Sequence, residues 1–146
     1  MSDLLKAISE GWSWKVGKPI EVVDTNKFGN AIVKNQAGQY FRIIPEEWEC
    51  DLLAISAADL ENKRKREDFI RDWEMLPLVA RAEAAHGPLT EGQVYSLVIP
   101  GLLGGKYTED NIRKTGLLEL LSYCGDMAHQ MEDVPDGAQI KLVLKK

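Results

Sequence analysis

The sequence predicts an α+β fold in which an antiparallel sheet of short strands packs against several helices, and three observations predict it. Residues 20–25, 31–35 and 39–44 are β-branched or aromatic-rich runs separated by Asn-Lys-Phe-Gly-Asn and Gln-Ala-Gly, the pattern of a meander. Phe69, Ile70, Trp73, Leu76 and Ala80 recur at spacings of three and four, the stripe of an amphipathic helix. Strand-like runs return at 94–99 and 138–144, so strands, helices and strands follow one another in blocks.

The elements follow in order. Leu4, Leu5 and Ile8 share one face of a short N-terminal helix that Gly11 terminates. Residues 12–16 read as an additional strand, which would set Trp12 and Trp14 on one side. Pro45 closes the third run of the meander because it has no N–H to give a ladder, and 48–55 follows as an edge strand. Ser56-Ala57-Ala58-Asp59 has the form of a helix start, its hydroxyl and acid placed to bond the first free N–H groups. The helix behind it points Lys63-Arg64-Lys65-Arg66 to solvent, kinks or restarts at Pro77 and ends at Gly87-Pro88. Residues 94–99 are mostly apolar, as in a central strand. After a Gly-rich loop over 100–106, Thr108 caps a helix with Glu109 and Asp110 at its positive end, Arg113 and Lys114 at its negative end, and Gly116 as its stop. Leu117, Leu118, Leu120, Leu121 and Cys124 open a last helix that reads on through Met127 and Met131. Pro135-Asp136-Gly137 then turns the chain into the final strand.

A chain of 146 residues, 45% hydrophobic and 28% charged, fits one domain over 1–146 with one core. No apolar run reaches the roughly 20 residues that cross a bilayer. The start Met1-Ser2-Asp3-Leu4 lacks the basic and apolar regions of a signal peptide, so a cytoplasmic location is expected. Cys50 and Cys124 have neither Cys-x-x-Cys nor zinc spacing and are expected to be buried thiols. The net charge of -5 is concentrated in two stretches, Glu46, Glu47, Glu49 and Asp51, and Asp126, Glu132, Asp133 and Asp136. Such surfaces repel a phosphate backbone and favour a basic protein surface as partner, the plain alternative being acids merely solvated beside turns.

Candidate chemistry is sparse. Gly101-Leu102-Leu103-Gly104-Gly105-Lys106 invites comparison with a phosphate-binding loop, but that loop needs Gly where the chain has Pro100 and Ser or Thr where it has Tyr107. His86 and His129 have no neighbouring residues in a triad or metal spacing, and Cys124 and His129, five apart on a helix, point away from one another. No catalytic residue, metal or cofactor is therefore expected. Trp73 belongs to the apolar helix face. Trp12, Trp14 and Trp48 either cover the sheet or form a contact surface, since tryptophan is enriched at binding hot spots.

Three pieces between 87 and 123 occur in a recognisable order. They are an acidic Gly-rich turn before a strand containing Tyr95, the loop Pro100-Gly101-Leu102-Leu103-Gly104-Gly105, and a capped segment with Asn111 near its start. Upstream, Phe28-Gly29-Asn30-Ala31-Ile32-Val33-Lys34 and Gly38-Gln39-Tyr40-Phe41-Arg42 are turns that each feed a short strand. Together, over 28–123, these resemble the C-terminal domain family of immunity proteins that protect bacteria from their own type VI secretion toxins. The resemblance implies a protein that binds a cognate toxin domain one to one and covers its active site. Toxins paired with the family mostly act on nucleic acid or consume nicotinamide dinucleotide, so it implies an ADP-ribosyltransferase as the narrower partner and a nuclease as the alternative. An enzyme that reverses the toxin's modification, or a general adaptor, also remains open. The contact surface is expected at Glu46, Glu47, Trp48 and Glu49, whose carboxylates suit a basic cleft and whose indole suits an anchor. Lys106 and Tyr107 of the loop over 104–107 are expected beside it.

Overall fold

The computed structural model describes residues 2–132 and Val134. The turn at 135–137 and the strand expected over 138–144 lie outside the described residues. The chain is α+β, with a four-stranded antiparallel meander between two helical layers and a separate β-hairpin. Strands β1 (Pro19–Thr25), β2 (Ala31–Asn35), β3 (Tyr40–Ile44) and β4 (Glu49–Ala54) pair in sequence order, which leaves β4 at an edge.

Helix α1 (Asp3–Val16) begins at Ser2, whose hydroxyl accepts a bond from Leu5 N, and ends at Gly17, where φ is +80°. Two expectations are corrected here: Gly11 does not end the helix, and 12–16 is not a strand. Ile8, Trp12 and Val16 continue one buried stripe at intervals of four, and that stripe, not the alternation of Trp12 and Trp14, meets the sheet. Its partner is α5 (Leu117–Met131), which runs as far as the sequence predicts. Leu121, Cys124 and Ala128 of α5 join the α1 stripe against Ala31, Val33, Phe41, Ile43 and Cys50 on one sheet face.

The opposite face carries α2 (Ala57–Arg64) and α3 (Glu67–Glu74), where Leu60 and Trp73 cover Ile32, Tyr40 and Ala54. The Ser56 hydroxyl caps α2 by accepting from Asp59 N, while the Asp59 carboxylate accepts from Ile55 N. The long helix expected here is three helices. A first break falls at Lys65 and Arg66, and a second at Met75, where φ is +51°. The second has a clear cause. Pro77 occupies the first turn of α4 (Leu76–His86), where a missing N–H costs nothing, and the Trp73 carbonyl it would have left unbonded accepts from the Asn26 amide instead.

A third cluster joins α4 to the hairpin β5 (Gln93–Leu97) and β6 (Ile112–Gly116) around Phe28, Val79, Ala82, Tyr95, Leu97 and Ile112. Here the sequence misleads twice. β5 is buried but pairs only with β6, not as a central strand. The segment expected as a capped helix after Thr108 is a short 3-10 turn, Glu109–Asn111, followed by β6. A buried strand must satisfy its N–H and C=O groups, and that requirement outweighs a capping pattern worth tenths of a kcal/mol per residue. No described helix is long and apolar enough to cross a membrane.

Candidate functional site

Helices α1 and α5 touch backbone to backbone. A Cβ added to Gly125 would lie 2.2 Å from the Gly11 carbonyl oxygen, and one added to Gly11 would lie 2.6 Å from the Leu121 oxygen. The Trp14 indole N–H seals this crossing by donating to both Gly11 O (2.8 Å) and Gly125 O (3.2 Å). Its ring stacks on Trp12 on one side (5.8 Å) and on His129 (4.6 Å). Close approach of the helices thus brings the end of α1 and the end of α5 into one wall.

The other wall is made by the turn before β4. Pro45–Glu47 forms a single 3-10 turn that stops at Trp48, a left-handed residue with φ +55° and ψ +38°. A non-glycine in that region is held by its surroundings, and strain of this kind is concentrated at functional positions. The reversal sends the Trp48 ring back toward Tyr123 of α5, edge to face at 6.4 Å, while the chain runs on into β4. Between the walls lies a groove of about 390 Å³, lined by Trp12, Trp14, Trp48, Cys50, Leu102 and Met131, with charged groups Lys15, Glu49, Asp51 and Glu132 also on it. Three of the four tryptophans thus meet at one groove whose charged residues are three carboxylates and one ammonium. Partial burial, then the charges of Asp51 and Glu47, hold the Glu49 carboxyl above its usual range, and among the described residues no base forms an ion pair with it.

The six residues singled out in the sequence do not share one surface. Glu49 is exposed and Trp48, 7% exposed, lines the groove. Glu46 is not a surface carboxylate: it is 1% exposed and accepts from the Asn30 amide at 2.7 and 3.1 Å. Arg42 in turn donates twice to the Asn30 side-chain oxygen and bonds Asp72 of α3, while its guanidinium lies over the Trp73 and Phe69 rings. Glu46 therefore ties the 3-10 turn to both faces of the sheet. Glu47 is half-buried against Gly101, and its Oε2 has no hydrogen-bond partner among the described residues. Tyr107 is half-buried, its phenol pKa raised by burial and then by the charges of Glu46, Glu47 and Glu49, while Lys106 is exposed.

The Gly-rich loop is a rigid part of this site. The Asn111 side chain bonds both Ile99 N and Ile99 O, as well as Lys106 O, and Gly105 sits where a Cβ would lie 1.7 Å from the Ile99 oxygen. From outside, α4 holds the loop with Arg81, which bonds the Tyr107 carbonyl and Glu109, and with His86, which bonds the Glu109 carbonyl. Leu103 thereby packs into the main core while Leu102 reaches the groove. Sequence reasoning missed Asp51, Lys15, Leu102 and Glu132 as members of the site. The usable signals were Asp51 and Glu132, each already within an acidic run.

Burial raises the Glu46 carboxyl to about 7, against the lowering effects of its own backbone N–H, Asn30 and Arg42. A pKa raised on folding contributes stability that is fully present below the unfolded value of about 4.5 and is lost as pH rises through 7. Glu46→Gln keeps the shape and an acceptor for Asn30 without the charge. Its unfolding free energy relative to wild type is expected to rise by up to about 3 kcal/mol between pH 5 and 8. Urea unfolding at the two pH values checks this, and a pH-independent difference would contradict it.

The family described as T6SS immunity protein Tdi1, C-terminal, matches residues 55–128. That segment contains α2, α3, α4, the hairpin and α5 as far as Ala128, so Leu102 lies within it, while α1, Trp48, β4 and the groove residues Met131 and Glu132 lie outside. The resemblance read over 28–54 also lies outside the matched segment. The crystal structure of Atu4351 from Agrobacterium tumefaciens is similar in fold, with a TM-score of 0.57 at 16% identity. The similarity covers 84% of this chain and 62% of that chain. No curated protein matches.

Proposed function

This chain belongs to the Tdi1 C-terminal family of type VI secretion system immunity proteins, and on that premise we propose that it neutralises one cognate toxin domain by occluding its active site. The observation that carries the reading is the groove: three tryptophans walled by rigid elements, with an excess of carboxylates over bases. Aromatic anchors set in a preformed surface supply binding energy at low ordering cost, and unpaired surface acids steer a basic partner. Toxins that act on nucleic acid or nicotinamide dinucleotide must hold phosphates, so their clefts are basic and fit this surface. An ADP-ribosyltransferase is the narrower proposal for the partner, and a nuclease offers the same chemistry at its cleft.

The contact surface we propose is Glu49, Asp51, Trp48 and Trp14 at the groove, continued by Leu102 and Lys106 on the loop. Glu46, Glu47 and Tyr107 support it from behind. Neutralisation by occlusion is stoichiometric. Titrating the purified chain into its cognate toxin domain is expected to abolish activity at one equivalent and to leave about half at half an equivalent when both are well above Kd. Full protection at about one hundredth of an equivalent would instead require turnover and would overturn the reading.

A further inference from the structure

We propose that the free edge of β4 is the line on which the toxin docks, by adding an extended segment to the sheet as a fifth strand. The inference rests on the proposed function and names the form of the partner at that site. Among the described residues β4 pairs with β3 alone. An antiparallel ladder uses the groups of alternate residues on each side, so half of the backbone N–H and C=O groups of residues 49–52 point away from β3. Among the described residues nothing else bonds to them, whereas the next carbonyl along, that of Leu53, accepts from the Lys63 ammonium at 2.8 Å. The other edge, β1, is a poorer template. It opens with Pro19 and its register against β2 shifts twice, while 49–52 stays in register with β3.

Grooves lie beside the β4 edge on both faces of the sheet. Glu49, Cys50 and Asp51 are consecutive and alternate between faces, so the groove of about 390 Å³ that touches all three runs along the edge. It lies toward the α1 and α5 side, at Trp12 and Ala128. A second groove, of about 280 Å³, lies toward the α2 and α3 side, between Leu53, Lys63 and Phe69. An added strand sends alternate side chains to opposite faces, and pockets for those side chains are what give strand addition its specificity. Glu49 and Asp51 share one strand face and form no ion pair among the described residues, and Leu52 on the other face is 50% exposed. The complement is an extended segment with basic side chains two positions apart and an apolar one between them. A second copy of β4 is a poor occupant, because antiparallel self-pairing gathers four carboxylates on one ladder.

The test uses the isotope-labelled full chain and the unlabelled cognate toxin domain. In the free chain the amides of alternate residues over 49–52 are expected to exchange freely with solvent. In the complex they are expected to slow by at least about 100-fold, while those of β1 stay unchanged. Isotope-filtered NOE spectra are expected to connect backbone protons of 49–52 to backbone protons of the toxin, the contacts of a paired strand. Unchanged exchange over 49–52 in the complex, or contacts to the toxin through side chains alone, would overturn the assignment. So would protection already present in the free chain: protection that rises with concentration marks a second copy on the edge, and protection independent of concentration marks a segment of the same chain. If the toxin is still neutralised one to one, the proposed function survives each of these failures.

Discussion

Gly125→Ala is expected to destabilise the chain by about 2–4 kcal/mol and to lower Tm by roughly 10 °C. Two effects oppose each other. Alanine in a helix interior is favoured over glycine by about 1 kcal/mol, which alone would raise stability. The added methyl, however, would sit 2.2 Å from the Gly11 oxygen and 2.4 Å from its carbon, and backbone atoms cannot rotate away. The helices must separate by about an ångström, opening the layer that Ile8, Trp12, Leu121 and Cys124 fill and stretching the Trp14 bonds to Gly11 and Gly125. Gly38→Ala is the control: φ there is +82° with open space around it, so the cost is the backbone strain alone, about 1 kcal/mol. Thermal unfolding of both variants decides the point, and a Gly125→Ala chain as stable as wild type would contradict the close crossing.

The same glycines show where the sequence speaks and where it does not. The meander was legible because β-branched runs and turn residues alternate locally, and β2 falls on 31–35 as the pattern predicts. The Ser56 cap was legible because its partners are three residues away. Gly11 was not: a glycine that ends a helix and one that admits another helix look alike until the second helix, more than a hundred residues later, is in place. Likewise Thr108 to Gly116 carries helix signals, but β5 needs a partner strand, a requirement set by tertiary structure.

The site divides in the same way. Three tryptophans and an acidic run are visible in the sequence, but their convergence depends on the α1–α5 crossing and on the left-handed turn at Trp48. Glu46 and Glu49, three residues apart, read alike as acids. Only the fold turns one inward to Asn30 and the other outward to the groove.

The claim that the toxin docks on this acidic groove is tested most directly by reversing its two exposed strand acids together, Glu49→Lys with Asp51→Lys. Both side chains are exposed, neither forms an ion pair among the described residues, and lysine is well tolerated on an edge strand, so circular dichroism and Tm are expected to match wild type. Affinity for the cognate toxin domain is expected to fall on the order of 100-fold. A slower association rate and a weaker dependence of that rate on salt should accompany the loss. Wild-type affinity and association rate in a folded double variant would contradict the account and place the interface on another face.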